Sequence, residues 1–412
     1  MSLTETSARK ARTQASCILP TYSADTFGVC SALFELGGMV VIHDPSGCNS
    51  TYTTHDEPRW YHTDSLVFIS AMNEYDAILG RDDRLLHDLI ETVRAERPRF
   101  LCLIPSQIAY LIATDLKAIA REVEHATGVP SFTLPTNSMH DAERGISLAL
   151  TELARRIPPA AAPATAPTHR LRVNVLGVTP LDFPLAGTRR SLARFLEAAG
   201  GTLHSCWALG TSYEEIARAA EADVSLVMTY GGLGAARVLE ERFGIPYLLG
   251  QPLGALRAPL ADALQEAAAH RLPSGSLLPA ADALAAAPPT GSSTAIIGES
   301  IGSLSLATAL RAEDGRHCRL IVPVAHERAL LPPDALAFPS ETALTALLAE
   351  ARPTLLADPM YRAVSPPRLP FVPLPHTACS GRIYEAQQRD LLDPAAFATL
   401  IRDLHAKERN RP

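Results

Sequence analysis

The sequence predicts an α/β protein built as three consecutive Rossmann-like domains with parallel sheets. Three observations lead there. A chain of 412 residues exceeds what one hydrophobic core supports, so two or three domains are expected. Two stretches cannot be regular secondary structure: residues 158–167, PPAAAPATAP, and residues 285–293, AAAPPTGSS. Proline fixes φ and removes a backbone donor. Between these breaks, short apolar runs alternate with amphipathic stretches of helical length, three times over. Near-continuous apolar runs are the mark of parallel strands buried on both faces. The expected units are residues 1–157, 168–285 and 293–412.

Within the first unit the order is GGMVVIH, DRLLHDLIETVRAE, RFLCLIP, DLKAIAREVEHATG, PSFTLP. Leu85, Leu86, Leu89, Ile90 and Val93 recur every three or four residues, which marks a helix with one buried face. The second unit reads RVNVLGV, TRRSLARFLEAAG, TLHSCWA, SYEEIARAAEA, VSLVMTY, GAARVLEERFG, IPYLLG. The third reads TAIIGE, SLSLATALRAEDG, CRLIVPV, ETALTALLAEARP, TLLADP. Gly200, Gly201 and Gly244 fall where helices should end, as left-handed C-caps.

Composition narrows the function. Hydrophobic residues make up 47% and charged residues 20%, a globular balance. A net charge of −7 gives no reason to expect nucleic-acid binding. The polar N-terminus lacks an apolar signal region, and no apolar run reaches the ~18 residues of a membrane span. Seven cysteines (17, 30, 48, 102, 206, 318 and 379) are scattered and odd in number. That argues against a disulfide framework and for a reducing cytoplasm.

Common motifs are missing. There is no GxxxxGK[ST], so the chain should not bind ATP through a P-loop. No GxGxxG follows the first strand of any unit, and HExxH, GxSxG and paired CxxC motifs are absent. Gly231-Gly232-Leu233-Gly234 opens a helix after VSLVMTY. Either its N-terminus receives a phosphate or carboxylate, or the glycines allow close helix–strand packing; the second reading is preferred.

The cysteines carry more. Cys17 and Cys48 each sit among small residues at the end of an expected strand or in the turn after it. Cys48 lies in Ile42-His43-Asp44-Pro45-Ser46-Gly47-Cys48, directly after an apolar run. That places its sulfur at the carboxyl edge of a sheet, where ligands gather in open α/β folds.

The ordered motifs resemble the nitrogenase component 1 superfamily. They are Cys17 followed by Thr26-Phe27-Gly28-Val29, the His43–Cys48 turn, and Ser70-Ala71-Met72-Asn73-Glu74-Tyr75-Asp76-Ala77-Ile78-Leu79-Gly80. Leu176-Gly177-Val178-Thr179-Pro180-Leu181-Asp182, Gly244-Ile245-Pro246-Tyr247, Asp358-Pro359-Met360-Tyr361 and Pro375-His376-Thr377-Ala378-Cys379-Ser380-Gly381-Arg382 follow in order. The resemblance covers nearly the whole chain. It is nearest to the nickel-sirohydrochlorin reductive cyclase and dark-operative protochlorophyllide reductase branches. It implies a nitrogenase component 1-like subunit that takes electrons from an ATP-dependent, iron-protein-like reductase through an interfacial [4Fe-4S] cluster. ATP would be used by that partner, not by this chain, and the substrate would be small or tetrapyrrole-like. Cys17 and Cys48 match the first two cluster cysteines. Soft thiolates suit such clusters.

The sequence also departs from the pattern. The third cluster cysteine is expected near Ser106 or Gln107, where none stands; Cys102 lies four residues earlier, inside a strand, and reads as a buried thiol before it reads as a ligand. A homodimer would supply Cys17 and Cys48 twice; otherwise a sister subunit, or an oxygen ligand such as Ser106 or Asp44, completes the set. Asp44 stands where the family usually has glycine, a change that alters the backbone freedom beside the cluster. Thr229 and Tyr384 fall where the family places the ligands of an iron-molybdenum-type cofactor, so none is expected.

The remaining candidates each carry two readings. Cys30, Cys206 and Cys318 read as core thiols. Cys379, three residues after His376, reads as part of a structural loop, with a metal or substrate role as the alternative. His43 is a turn residue or a tuner of the cluster. His55, Asp56, Trp60, Tyr61 and His62 form a solvated loop or the entrance to a substrate cavity. Glu74 and Asp76 are helix caps or proton donors. Arg382 clamps a substrate carboxylate or is structural. With His376, these three are the catalytic candidates. A metallocofactor assembly scaffold and a cluster-free binding protein on the same fold are the competing functions.

Overall fold

The computed structural model describes residues 16–47, 49, 57–158, 170–277, 294–338 and 340–409. Both interdomain breaks read from the sequence lie, apart from Pro158, outside these residues, as do Cys48, His55 and Asp56.

Three parallel sheets are present. The first holds β1 (Met39–His43), β2 (Leu66–Ile69), β3 (Leu101–Pro105) and β4 (Ser131–Thr133) in the order β2-β1-β3-β4. The second holds β5 (Leu171–Leu176), β6 (Gly201–Cys206), β7 (Val224–Val227), β8 (Tyr247–Leu249) and β9 (Ser276–Leu277) in the order β6-β5-β7-β8-β9. The third holds β10 (Thr294–Ile297), β11 (Cys318–Val322), β12 (Leu336–Ala337), β13 (Thr354–Ala357) and β14 (Phe371–Pro373) in the order β12-β11-β10-β13-β14. The central strands β1, β7, β10 and β13 are buried along their full length, which is why they read as unbroken apolar runs.

Helices form where the apolar spacing placed them. Asp82–Glu96 buries Leu85, Leu89 and Val93, and Leu116–Thr127 ends on Gly128 in the left-handed region. Gly200 and Gly244 take positive φ as expected, but Gly201 does not: it opens β6. Edge strands β9 and β12 are only two residues long, too short to leave a period in the sequence.

One helix pair organises the molecule. Helix Ala142–Arg156 leaves the first unit and packs along Tyr230–Phe243 of the second, with Asp25–Leu33 across its other side. The Gly231-Gly232-Leu233-Gly234 run makes this approach possible. A Cβ on Gly231 would meet Ile146 at 2.5 Å, and one on Gly232 would meet the Leu176 backbone at 2.6 Å. The N-terminus of the same helix also receives carboxylates, both from the protein itself. Gly231 N–H donates to Glu143 Oε2 at 2.7 Å, and Tyr230 N–H to Glu299 Oε1 at 2.9 Å. The packing reading of the motif therefore holds, and the helix end is filled by the protein's own Glu143 and Glu299.

Gly232→Ala is expected to cost about 1–3 kcal/mol by overpacking. Its thermal midpoint should fall, and a midpoint equal to the wild type would contradict the close approach.

Candidate functional site

A cavity of about 1070 Å³ opens between the first and third units. Its floor is the segment around residues 19–27, and its first-unit wall includes Asp44, Pro45, Gly47 and Asn49. Those residues flank position 48 at the carboxyl end of β1. On the opposite wall stand Phe338, Tyr361 and Cys379.

Cys17 is not at a strand end. It is exposed, in a bend that lies against the third unit. The cause is Glu341, the first residue of helix Glu341–Ala351. Its Oε2 accepts the N–H groups of Cys17, Ile18 and Leu19 at 3.1, 2.9 and 2.8 Å. Hydrogen bonds from Leu19 and Ile18 hold that carboxyl below its ordinary value. Further along, Ser23 N–H donates to Ala378 O at 2.7 Å. The segment flanking Cys17 (Ser16, Leu19) and the residues flanking position 48 line the same cavity.

The other candidates divide. Ser106 follows β3 at the sheet edge; it is buried, and its Oγ has no hydrogen-bond partner among the described residues. Cys102 is inside β3 and fully buried. Burial pushes its thiol well above the ordinary value, with Cys30 close by in the same core. It is not brought to the edge with Ser106. Asp44 is buried and accepts Ser46 N–H at 3.1 Å. Glu74 is exposed in the first turn of helix Glu74–Leu79, while Asp76 closes a capping box with Asn73 and pairs with Arg84 at 3.1 Å. His43 Nδ1 lies 2.7 Å from Ser70 Oγ, and burial lowers its pKa. The Arg382 guanidinium sits over the Tyr61 ring, 5.1 Å from its centroid. Burial raises the thiols of Cys30, Cys206, Cys318 and Cys379, the second and third to about 12.

His376 belongs to a network that joins all three units. Its Nε2 donates to Asp182 Oδ1 at 2.8 Å, and its N–H to Asp358 Oδ2 at 2.8 Å. Asp182 also accepts Thr179 Oγ1–H at 2.9 Å and hydrogen-bonds Glu143. Burial, then the charges of Asp182 and Glu299, push the Glu143 carboxyl well above its ordinary value. For His376, burial alone would lower the imidazole. Hydrogen bonding and charge from Asp182, with Asp358 and Glu299 behind, outweigh it and leave the pKa raised.

Sequence reasoning missed one buried cluster. Arg59 is 1% exposed. It bonds Glu57 at 2.7 Å, Ser31 O at 2.7 Å and Ala208 O at 2.9 Å, and pairs with Glu35 at 3.2 Å. Glu57 is two residues away, but the carbonyls of Ser31 and Ala208 that enclose Arg59 are 28 and 149 residues away, so the local sequence does not mark it as buried. Among the described residues, no group of three or more His, Cys, Asp or Glu side chains is arranged to hold a metal ion. No described helix is long and apolar enough to cross a membrane.

Three parallel sheets covered by helices define an α/β fold, with Ser106 and the turn after β1 at the carboxyl edge of the first sheet. Residues 25–269 match the family of nitrogenase component 1 type oxidoreductases, and the chain belongs to it. It is 32% identical over 224 residues to a light-independent protochlorophyllide reductase subunit of Prosthecochloris aestuarii, covering 52% of this chain and 39% of that protein. It is 26% identical over 241 residues to the nitrogenase iron-molybdenum cofactor biosynthesis protein NifE of Klebsiella pneumoniae, covering 56% of this chain and 51% of that one. The chain thus spans about half the length, or less, of these curated relatives. Nitrogenase Cp1 at pH 6.5 shares the fold with a TM-score of 0.68 at 15% identity, over 96% of this chain and 93% of that one.

Two outcomes follow from this geometry. Iodoacetamide should label Cys17 in the folded, cluster-free protein, whereas Cys30, Cys102, Cys206, Cys318 and Cys379 should react only on unfolding; peptide mass spectrometry reads the difference. A raised imidazole pKa stabilises the fold fully below the unfolded value of ~6.5, and this is lost as pH rises through the folded value. The stability gap between wild type and His376→Gln should therefore be larger at pH 6 than at pH 9, as measured by thermal midpoints.

Proposed function

We propose that this chain is a nitrogenase-like component 1 subunit. In this reading it accepts electrons from an ATP-dependent iron-sulfur reductase through a [4Fe-4S] cluster shared between two such subunits, and a small or tetrapyrrole-like substrate is reduced. One observation carries it: the segment flanking Cys17, held against the third unit by Glu341, and the residues flanking position 48 meet on one cavity of about 1070 Å³. That volume is just above the range of ordinary ligand pockets, about 300–1,000 Å³.

The donor set fits a shared cluster better than a private one. Cys17 is the exposed thiol among the described cysteines, and the others are buried. With Cys48, each chain offers two thiolates where a cubane takes about four, so two copies, or this chain and a sister subunit, complete the set. The cluster would supply one-electron transfer. This chain's residues hold it and wall the cavity, Cys379 among them. Glu74 and Asp76 are proposed as caps rather than acids. Ser106, with its unpartnered Oγ, is the preferred oxygen donor over Asp44. Exposed apolar residues flank the loop after β1: Tyr75, Ile78 and Leu79 beyond β2, and Ile108, Tyr110 and Leu111 beyond β3. Such a patch suits a second subunit. The three sheets are read as three domains bounded at residues 157/168 and 285/293, in a cytoplasmic protein.

The relatives named as cofactor biosynthesis proteins support a second reading, a scaffold on which a metallocofactor is assembled. Anaerobic purification with iron and sulfide analysis separates these. About four irons per dimer, with a dithionite-reduced EPR signal lost in Cys17→Ala and Cys48→Ala, are expected. A folded dimer that takes up no iron even after reconstitution would sink the cluster reading.

A further inference from the structure

A groove of about 570 Å³ lies against β14, the edge strand of the third sheet. An open edge ordinarily invites a further strand. This one is blunted, because Pro370 and Pro373 carry no N–H to donate. What the edge does offer is the N–H of Phe371. Pro370 O accepts Leu355 N–H at 2.8 Å, so the N–H of the same peptide unit is directed away from β13, to the side where no strand lies.

Every charged residue lining this groove is a cation: Arg362, Arg368 and Lys407. They arrive from three segments, the helical turn Pro359–Val364, the loop before β14 and the last turn of helix Pro394–Arg409. Arg362 is held in place. Its Nη1 donates to Leu369 O at 2.9 Å and its Nη2 to Pro367 O at 3.2 Å, and the guanidinium lies 5.6 Å from the Phe371 ring centroid. A guanidinium has about five donors, so these two bonds leave others for a ligand. Arg368 and Lys407 are exposed, with no hydrogen bond or ion pair among the described residues. The acids adjoining these segments are committed elsewhere or lie outside the groove. Glu408 accepts from Arg316 at 3.1 Å and from Thr354 Oγ1–H at 3.0 Å, and Asp403 pairs with Arg389 at 2.6 Å. Asp358 is buried and takes Met360 N–H, His376 N–H and Ser380 Oγ–H. Glu385 is exposed and does not line the groove. In a chain of net charge −7, three uncompensated cations on one concave surface concentrate anions there.

We infer that this groove binds a small organic phosphate as its dianion. The class of ligand follows from the donors. A phosphoryl group presents its oxygens in several directions, and so meets cations that come from several segments; Arg and Lys are its ordinary holders. A planar carboxylate meets one guanidinium with its two oxygens and leaves the other cations unused. The volume falls within the about 300–1,000 Å³ of small-molecule sites and is more than a bare phosphate fills. Half-buried Tyr384, with Pro359 and Pro373, gives the organic part an apolar surface to rest on. No residue lining the groove also lines the wide cavity flanking Cys17, so the site does not depend on a cluster.

The test uses the full chain, titration calorimetry at low salt and phenyl phosphate as the probe. Saturable binding of one phenyl phosphate per chain is expected at pH 8. Benzoate should bind at least tenfold more weakly, and inorganic phosphate more weakly than phenyl phosphate. Affinity should fall between pH 8 and pH 5, as the phosphate takes up its second proton around a pKa of about 6; the arginines and lysine of the groove keep their charge over that range. Arg368→Gln and Lys407→Gln should each lower affinity about threefold or more, and the double variant about tenfold or more. Their thermal midpoints should match the wild type, because neither side chain is bonded within the fold. Lys117→Gln removes an exposed cation from helix Leu116–Thr127 of the first unit and should leave the affinity unchanged. The inference is overturned if phenyl phosphate shows no saturable binding, or if benzoate or inorganic phosphate binds as tightly. It is also overturned if Lys117→Gln weakens binding as much as Arg368→Gln does, since the effect would then be one of overall charge.

Discussion

The architecture depends on a single helix end. At the N-terminus of Tyr230–Phe243, a carboxylate from the first unit and one from the third take adjacent backbone N–H groups. A helix N-terminus carries partial positive charge and unsatisfied donors, so it accepts acids that would otherwise be costly to bury. Glu299 serves two helix ends at once, since it also caps Ser300–Asp314. Losing this arrangement would leave two buried acids and several amides unpaired. The relative placement of three sheets is therefore fixed by chemistry that belongs to the middle one.

From that anchor the rest of the centre follows. Glu143 reaches Asp182, Asp182 orients His376, and His376 leads through its backbone N–H to Asp358. Each unit contributes, so no domain alone can build the network. Low dielectric makes such a buried set strong when satisfied and costly when one member is left over.

Much of the fold is legible in the sequence, and for identifiable reasons. Central parallel strands such as β1 and β10 are buried on both faces and so read as apolar runs. Amphipathic helices such as Asp82–Glu96 show their buried side as a period. The edge strands β9 and β12 leave no trace because two residues have no period. Cys17 reads as a strand end and is not one, because what holds it is Glu341, 324 residues away. Arg59 is invisible for the same reason. The glycine run offers two alternatives because sequence alone does not show that a packing motif and a carboxylate-receiving helix end coincide. Cys102 and Ser106 differ by four positions, yet one is inside the strand and the other beyond its end. Strand register, not residue type, separates them.

The hold of Glu341 on three successive amides has a mechanical side. Cys17 is tied to the third unit through Glu341, whereas Gly47 and Asn49 continue from β1 of the first. The gap between the two thiol-bearing segments is thus a ruler of interdomain posture. Any rigid-body rocking of one unit against the other is transmitted to that gap without a change in either segment's own conformation.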